Sequence, residues 1–333
     1  MSSNGYPPVF PRELPFRGIT DDEFAVTGFH RPQHRYWLHA LLLLLTLVTT
    51  TIVGAGLAQS FAANRPFDID ADLAGYTRIW HDPAYLLTGL PFSLTLLGIL
   101  MCHEMGHYLA ARYYHVDVSL PYFLPAPTVS GTFGAFIRIR SAIASKRVMF
   151  DIGAAGPIAG FIALLVPLAV GLSLSRIVPG IGNRGDVIFG TPPLMRIFEW
   201  VLFPGVAAAD LSLHPVVRAV WVGLLATSLN LLPIGQLDGG HILYSLAGER
   251  TRRLSMVFLG ALIGLGTYEF VSSHYRAGET WLFFGAVLFF VARRHPALYD
   301  PRPIGQTRVR LGWAALLILL LSFTISPVQT PGS

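Results

Sequence analysis

The segment His103-Glu104-Met105-Gly106-His107 sets two histidines four positions apart, with a carboxylate beside the first. On a helix that spacing puts both imidazoles on one face, where they can converge on a single metal ion. Zinc takes neutral imidazole nitrogens at about 2.0–2.1 Å, and a neighbouring carboxylate such as Glu104 can accept a proton from an activated water and later donate it to a leaving amine. So short a pattern also arises by chance in long sequences. Its surroundings argue otherwise, because two imidazoles and a carboxylate inside an apolar span are costly unless they are partnered or used.

A catalytic zinc needs a third protein ligand and an open position for water. The chain has one cysteine, Cys102, which excludes an internal disulfide and a Cys-rich zinc site. Next to His103 on a helix, Cys102 points elsewhere and is read as packing. The ligand is then a histidine or a carboxylate, and Asp238 is the best candidate. It closes the stretch NLLPIGQLD from Asn230 to Asp238, where Pro233, Gly235 and the following Gly239 are expected to break a helix. Irregular backbone at membrane depth is tolerated only where it lines a protected cavity. Asn230 in the same stretch suits an interhelical hydrogen bond as well as a place in the site. His241, three residues beyond Asp238, could partner the ligands or replace one, although an interfacial position suits it better.

The elements that carry these residues are read as transmembrane. Of 333 residues, 53% are hydrophobic and 13% charged, too little charge to solvate a soluble protein of this size. Aromatics at 12% and 33 glycines suit interfacial anchoring and close helix approach. Apolar runs of spanning length lie near 36–57, 85–112, 148–173, 215–232, 254–271, 279–293 and 311–326, the sixth being the shortest. The expectation is an all-α polytopic membrane protein of about seven transmembrane helices, with a six-helix core as a variant. No apolar core of signal-peptide length precedes Tyr36, so the polar N-terminal segment is expected to be retained.

Lys and Arg divide unevenly between alternate loops. One set holds seventeen, among them Arg112, Arg138, Arg140, Lys146 and Arg147, and the other holds the remaining seven of the 24. Cytoplasmic loops carry the excess, so the N-terminus is placed in the cytoplasm. The second and fourth spans then both run inward and bring HEMGH and Asp238 near the same face. The net charge of +5 fits that bias, and no basic run interleaved with aromatics suggests nucleic acid. The loop near 174–214 contains an apolar, amphipathic stretch, 194–206, that either lies on the membrane or packs on the helices.

HEMGH together with NLLPIGQLDG resembles the site-2 protease family of intramembrane zinc metalloproteases, which carries H-E-x-x-H on one helix and N-x-x-P-x-x-x-x-D-G on a later one. PYFLPAP with GTFGAFIRIRS (121–141) and DIGAAGPIAG (151–160) are similar to the bacterial and plastid branch, and no PDZ-like or CBS-like domain is apparent. The likeness covers about 85–245. It implies one Zn2+ per chain held by His103, His107 and Asp238, acid/base catalysis by Glu104, and Asn230 close to the substrate or the oxyanion. It also implies a transmembrane protein substrate, and a place in the inner membrane of a bacterium with the active site toward the cytoplasm.

From Gly131 to Arg140, Ala135, Ile137 and Ile139 alternate with Phe136, Arg138 and Arg140, the period of a strand. A substrate is best cleaved extended, since a helix buries the scissile amide in its own hydrogen bonds, and an edge strand can supply replacements. A plain surface hairpin fits the residues equally well. The resemblance favours a short membrane-associated, substrate-binding edge strand with Gly131, Phe133, Gly134 and Phe136. Asp151 is read as structural, its place at a span start, four residues after Arg147, being explained by helix-dipole and ion-pair roles. Glu269 is also read as structural, and Asp68, Asp70 and Asp72 as a solvated loop.

The chain thus divides into a polar segment (1–35), a first span (36–57), a catalytic membrane core (85–245) and C-terminal helices (246–333). The expected function is regulated intramembrane proteolysis, the hydrolysis of peptide bonds within or next to transmembrane segments. The alternatives are a proteolytically inactive zinc-binding scaffold, which the intact Glu104 disfavours, and an ion transporter, for which no inverted repeat is apparent.

Overall fold

The leucine-rich run that begins at Tyr36 is a single helix, α1 (Tyr36–Ala62), in a computed structural model that describes residues 35–66, 83–141, 143, 145–185, 187–272, 278–292 and 302–329. The polar segment up to residue 34 and the acidic loop at 68, 70 and 72 lie outside the described residues. After a 3-10 turn, Pro83–Gly89, comes α2 (Leu90–Tyr113), and then α3 (Lys146–Ser173), α4 (Pro193–Leu202) and α5 (Pro215–Leu231). The chain continues through α6 (Asp238–Ala247), α7 (Thr251–Ser272), α8 (Glu279–Ala292) and α9 (Gln306–Ser322).

Four segments are long and apolar enough to cross a membrane: Tyr36–Ala62, Ala84–Tyr113, Lys146–Ser173 and Asp238–Ser272. Pro215–Leu231 and Glu279–Phe290 are shorter apolar helices. The protein is a multi-pass, all-α integral membrane protein with small β-hairpins. Two details depart from the sequence reading. The stretch Asp238–Ala247, where Gly239 is expected to break a helix, is itself helical, with α6 joined to α7 through a single turn, Gly248–Arg250. Its glycines bury against other backbone instead of breaking the helix: a Cβ on Gly239 would lie 2.0 Å from the Leu231 carbonyl oxygen. The ion pair of Asp151 is made with Arg308 of α9, at 2.6 Å, while Arg147 donates to the Pro303 carbonyl at 3.0 Å.

Several polar groups within the spans find partners on neighbouring helices or on their own backbone. Thr50 and Ser93 share a 2.5 Å hydrogen bond between α1 and α2, and Thr46 donates to the Leu42 carbonyl. Glu269 accepts from Ser326, in keeping with a structural role. Helix α3 lies at the centre, against α2, α5, α6 and α9. Helix α4 has one packed face, Leu194, Met195 and Glu199, while Ile197, Trp200 and Val201 are exposed.

Between α2 and α3 the chain forms an antiparallel hairpin of β1 (Tyr122–Pro125) and β2 (Thr132–Phe136), with Tyr122 opposite Phe136, Phe123 opposite Ala135 and Pro125 opposite Thr132. One extra residue on β2 makes a bulge, with Gly134 at φ +96, and bulges re-aim side chains and twist an edge. The first helix holds the hairpin. His39 Nδ1 lies 3.1 Å from the Pro121 carbonyl oxygen, and Thr49 donates to the Gly131 carbonyl at 2.7 Å. Gly131 has φ +77, and a Cβ there would lie 2.7 Å from the Thr49 oxygen, so only glycine suits this turn. Two further two-stranded sheets, β3 (Arg176–Ile177) with β5 (Leu211–Ser212) and β4 (Ile188–Phe189) with β6 (Val328–Gln329), lie toward the other end of α3.

His214 caps α5, its Nδ1 accepting from the Val216 N–H at 3.3 Å. Burial, aided by the Arg176 guanidinium, lowers its pKa below the ordinary 6.5, so the unfolded chain binds the extra proton more readily than the folded one. The cap's contribution is then complete above pH 6.5 and is lost as pH falls through the lowered folded value. Thermal unfolding in detergent from pH 8 to 5 is expected to show that acid-side loss as a falling midpoint below pH 6.5. His214→Asn keeps an accepting cap and should flatten the profile over the same range.

Candidate metal centre

His103 and His107 lie one turn apart on the inner face of α2, and Asp238 is the first residue of α6, delivered by the break that Pro233 and Gly235 make after α5. The structure brings all three together. The two Nε2 atoms are 3.1 Å apart, and Asp238 Oδ2 lies 3.3 Å from that of His103 and 3.2 Å from that of His107. Three ligand atoms of a tetrahedral zinc, each about 2.0–2.1 Å from it, stand about 3.3–3.4 Å apart. The observed triangle fits that donor set. Among the described residues it is the one group of histidine, cysteine and acidic side chains close enough to hold a metal.

The hydrogen bonding around the triangle points the same way. His107 Nδ1 lies 2.7 Å from the Ile152 carbonyl oxygen on α3. A carbonyl only accepts, so Nδ1 carries the proton and, in the neutral ring, Nε2 presents a lone pair to the centre. Converging lone pairs and a carboxylate oxygen repel one another unless a cation or a proton lies among them, and fixing a ligand's tautomer from its far nitrogen is how proteins orient metal-binding histidines. Asp238 sits at a helix N-terminus, where the dipole favours a carboxylate. Its side chain retains 17% exposure, against 6% and 8% for the histidines, which leaves an accessible side to the cluster.

Glu104 is buried next to this triangle, and β2 packs against the helix that carries it, with the Ile137 backbone N–H near its carboxyl group. The end of the hairpin therefore lies near the carboxylate. Asn230, near the end of α5, places its amide nitrogen 3.4 Å from His103 Nε2. Phe133 and Phe136 of β2 are 74% and 46% exposed, whereas Gly131 is buried against α1. Cys102 is exposed and outside the cluster, and His241 is on α6 but is not one of the converging donors.

Residues that the motifs did not name make room for the histidines. A Cβ on Gly156 of α3 would lie 2.1 Å from His107 Nε2, and one on Gly160 would lie 3.2 Å from His103 Nδ1. On the facing side, a Cβ on Gly106 would lie 2.5 Å from the Ala155 carbonyl oxygen, so the two backbones approach closely as small residues allow in membranes. The signal was present in DIGAAGPIAG, where Gly153, Gly156 and Gly160 recur at helical spacing.

Helices of spanning length, an H-E-x-x-H helix and a third carboxylate at the same depth define the class: a membrane-embedded protein with a zinc-peptidase type of metal site. The chain belongs to peptidase family M50, whose model matches residues 91–265. Those bounds contain every donor of the triangle. The probable zinc metalloprotease EGY1, chloroplastic, of Arabidopsis thaliana is 33% identical, over 72% of this chain and 43% of that protein. Its namesake of Oryza sativa subsp. japonica is 31% identical over 88% and 51%, and the probable zinc metalloprotease EGY2, chloroplastic, of Arabidopsis thaliana is 32% identical over 72% and 42%. The chain thus spans about half the length of the curated relatives it matches.

Gly156→Ala tests the fit of the centre. Alanine favours a helix, but its methyl group would take the space of the His107 ring. Metal analysis of the purified variant is expected to show zinc affinity reduced by about 10–100-fold, the loss typical when a ligand's support is removed, with helix content unchanged. Gly160→Ala, with more room, should lose less.

Proposed function

We propose that this chain is an intramembrane zinc metalloendopeptidase that hydrolyses peptide bonds within or next to transmembrane segments of other membrane proteins. The observation that carries the reading is the donor triangle of His103, His107 and Asp238 with Glu104 buried beside it inside an apolar helix bundle. The printed names of the chloroplast relatives, probable zinc metalloproteases, agree with it. In this reading the triangle holds one Zn2+ per chain, which when bound supplies a Lewis acid for the peptide carbonyl and lets water act as a nucleophile at neutral pH.

The chain's own residues do the rest. Glu104 takes a proton from the attacking water as the new C–O bond forms, and delivers it to the amine nitrogen as the C–N bond breaks. Asn230, beside His103, is placed to donate to the carbonyl oxygen as charge develops there. The free edge of β2 binds the substrate in extended form, with Phe133, Gly134 and Phe136 in contact with it and Gly131 shaping the turn. The packing of β2 against α2, with Ile137 near Glu104, supports that reading, since it brings the end of the strand toward the base.

The division into a polar N-terminal segment (1–35), a first span (36–57), a catalytic core (85–245) and C-terminal helices (246–333) belongs to the same proposal. So do a count of seven spans and an active site facing the cytoplasm of a bacterial inner membrane. The excess of Lys and Arg in alternate loops supports the orientation.

Glu104→Gln separates binding from chemistry. Metal analysis is expected to find zinc at the wild-type level, while cleavage of a membrane-anchored reporter falls by about 10²–10⁴-fold, the usual contribution of a general base. Full activity in that variant would remove Glu104 from the mechanism, and a wild-type protein that binds no zinc would remove the metal.

A further inference from the structure

Among the described residues, the best-bonded charged cluster outside the donor triangle joins three helices at the end of the bundle where α3 begins. Asp151 of α3 receives two bonds from Arg308 of α9, Nε to Oδ1 at 2.9 Å and Nη2 to Oδ2 at 2.6 Å. The Tyr114 hydroxyl, at the C-terminal end of α2, donates to the same Oδ2 at 2.5 Å. Arg308 Nη2 also lies 3.5 Å from that hydroxyl, and its Nη1 donates to the Ile304 carbonyl at 3.1 Å. A two-pronged guanidinium–carboxylate pair is geometrically specific as well as strong.

Its place in the chain gives this cluster a consequence. Asp151 immediately precedes Ile152, whose carbonyl fixes the tautomer and ring of His107. Tyr114 is two helical turns beyond His107 on α2, so the helix carrying the histidine and the helix carrying its carbonyl partner are tied through one carboxylate. Arg308 adds a helix that lies beyond residues 91–265 of the family match. We propose that Tyr114, Asp151 and Arg308 form a positioning clamp that holds the Ile152 carbonyl under His107, and that through it the C-terminal helix sets the geometry of the metal centre. This rests on the metal-site reading above. The clamp residues touch none of the donor atoms and act through α3.

The test uses the full chain in detergent, loaded with zinc for affinity against a chelator and with cobalt(II) for its visible ligand-field spectrum. Asp151→Asn and Arg308→Ala are expected to weaken zinc binding about tenfold or more and to shift the cobalt spectrum. Tyr114→Phe should move both in the same direction by less, and Arg308→Lys should restore part of what Arg308→Ala loses. Arg147→Ala is the control: it removes the bond to the Pro303 carbonyl at the same helix junction without touching Asp151, and should leave both readouts at wild type. Clamp variants with wild-type affinity and spectrum, or an equal change in Arg147→Ala, would overturn the clamp alone. A wild-type chain that takes up neither metal would instead overturn the metal-site reading beneath it.

Discussion

The bond between the His107 imidazole and the Ile152 carbonyl is the contact on which the rest of the centre depends. It crosses from α2 to α3, and it can form because Gly156 and Gly106 let those helices approach closely. With Nδ1 committed to a carbonyl, Nε2 must face the other donors, and Asp238 arrives at that point from a third helix. In hydrocarbon no water would compensate a misdirected imidazole or carboxylate. The donors are therefore held by backbone and helix packing, which cannot reorient as a solvated side chain can.

Two other parts of the molecule are arranged around that contact. Helix α1 holds the hairpin through His39 and Thr49, and the hairpin in turn packs against α2, which carries Glu104. The hairpin thus approaches the same helix, α2, that carries Glu104 and both histidines. The bulge in β2 turns Phe133 outward and leaves the other side of the strand to β1. An unpaired edge is a liability in most proteins. In the proposed reading it is the surface with which an extended substrate would pair.

The break after α5 shows how local chemistry and packing share the work. Pro233 and Gly235 end one helix, as their backbone preferences require. Gly239 and Gly240 follow, and as isolated residues they read as more of the same loop. They are instead the first turn of α6, pressed on the carbonyls of the preceding segment, and this contact places Asp238 beside the histidines. A glycine required by close approach has the same letter as one required by a turn, so the helix could not be read without its neighbour.

Much of this protein was legible from residues alone: a membrane chain from its apolar runs, a metal pair from the spacing of His103 and His107, a third donor in Asp238 and a strand from the alternation after Gly131. Each is a local property, set by the helical or extended period and by the cost of polar groups in an apolar span. Tertiary structure alone decided which carbonyl orients His107, why Gly156 and Gly160 are small, and that Asp151 pairs with Arg308 and not with Arg147. These are contacts between residues 45 to 157 positions apart. No period or propensity within one segment encodes them, because they follow from how close two helices can come and which side chains then have nowhere else to point.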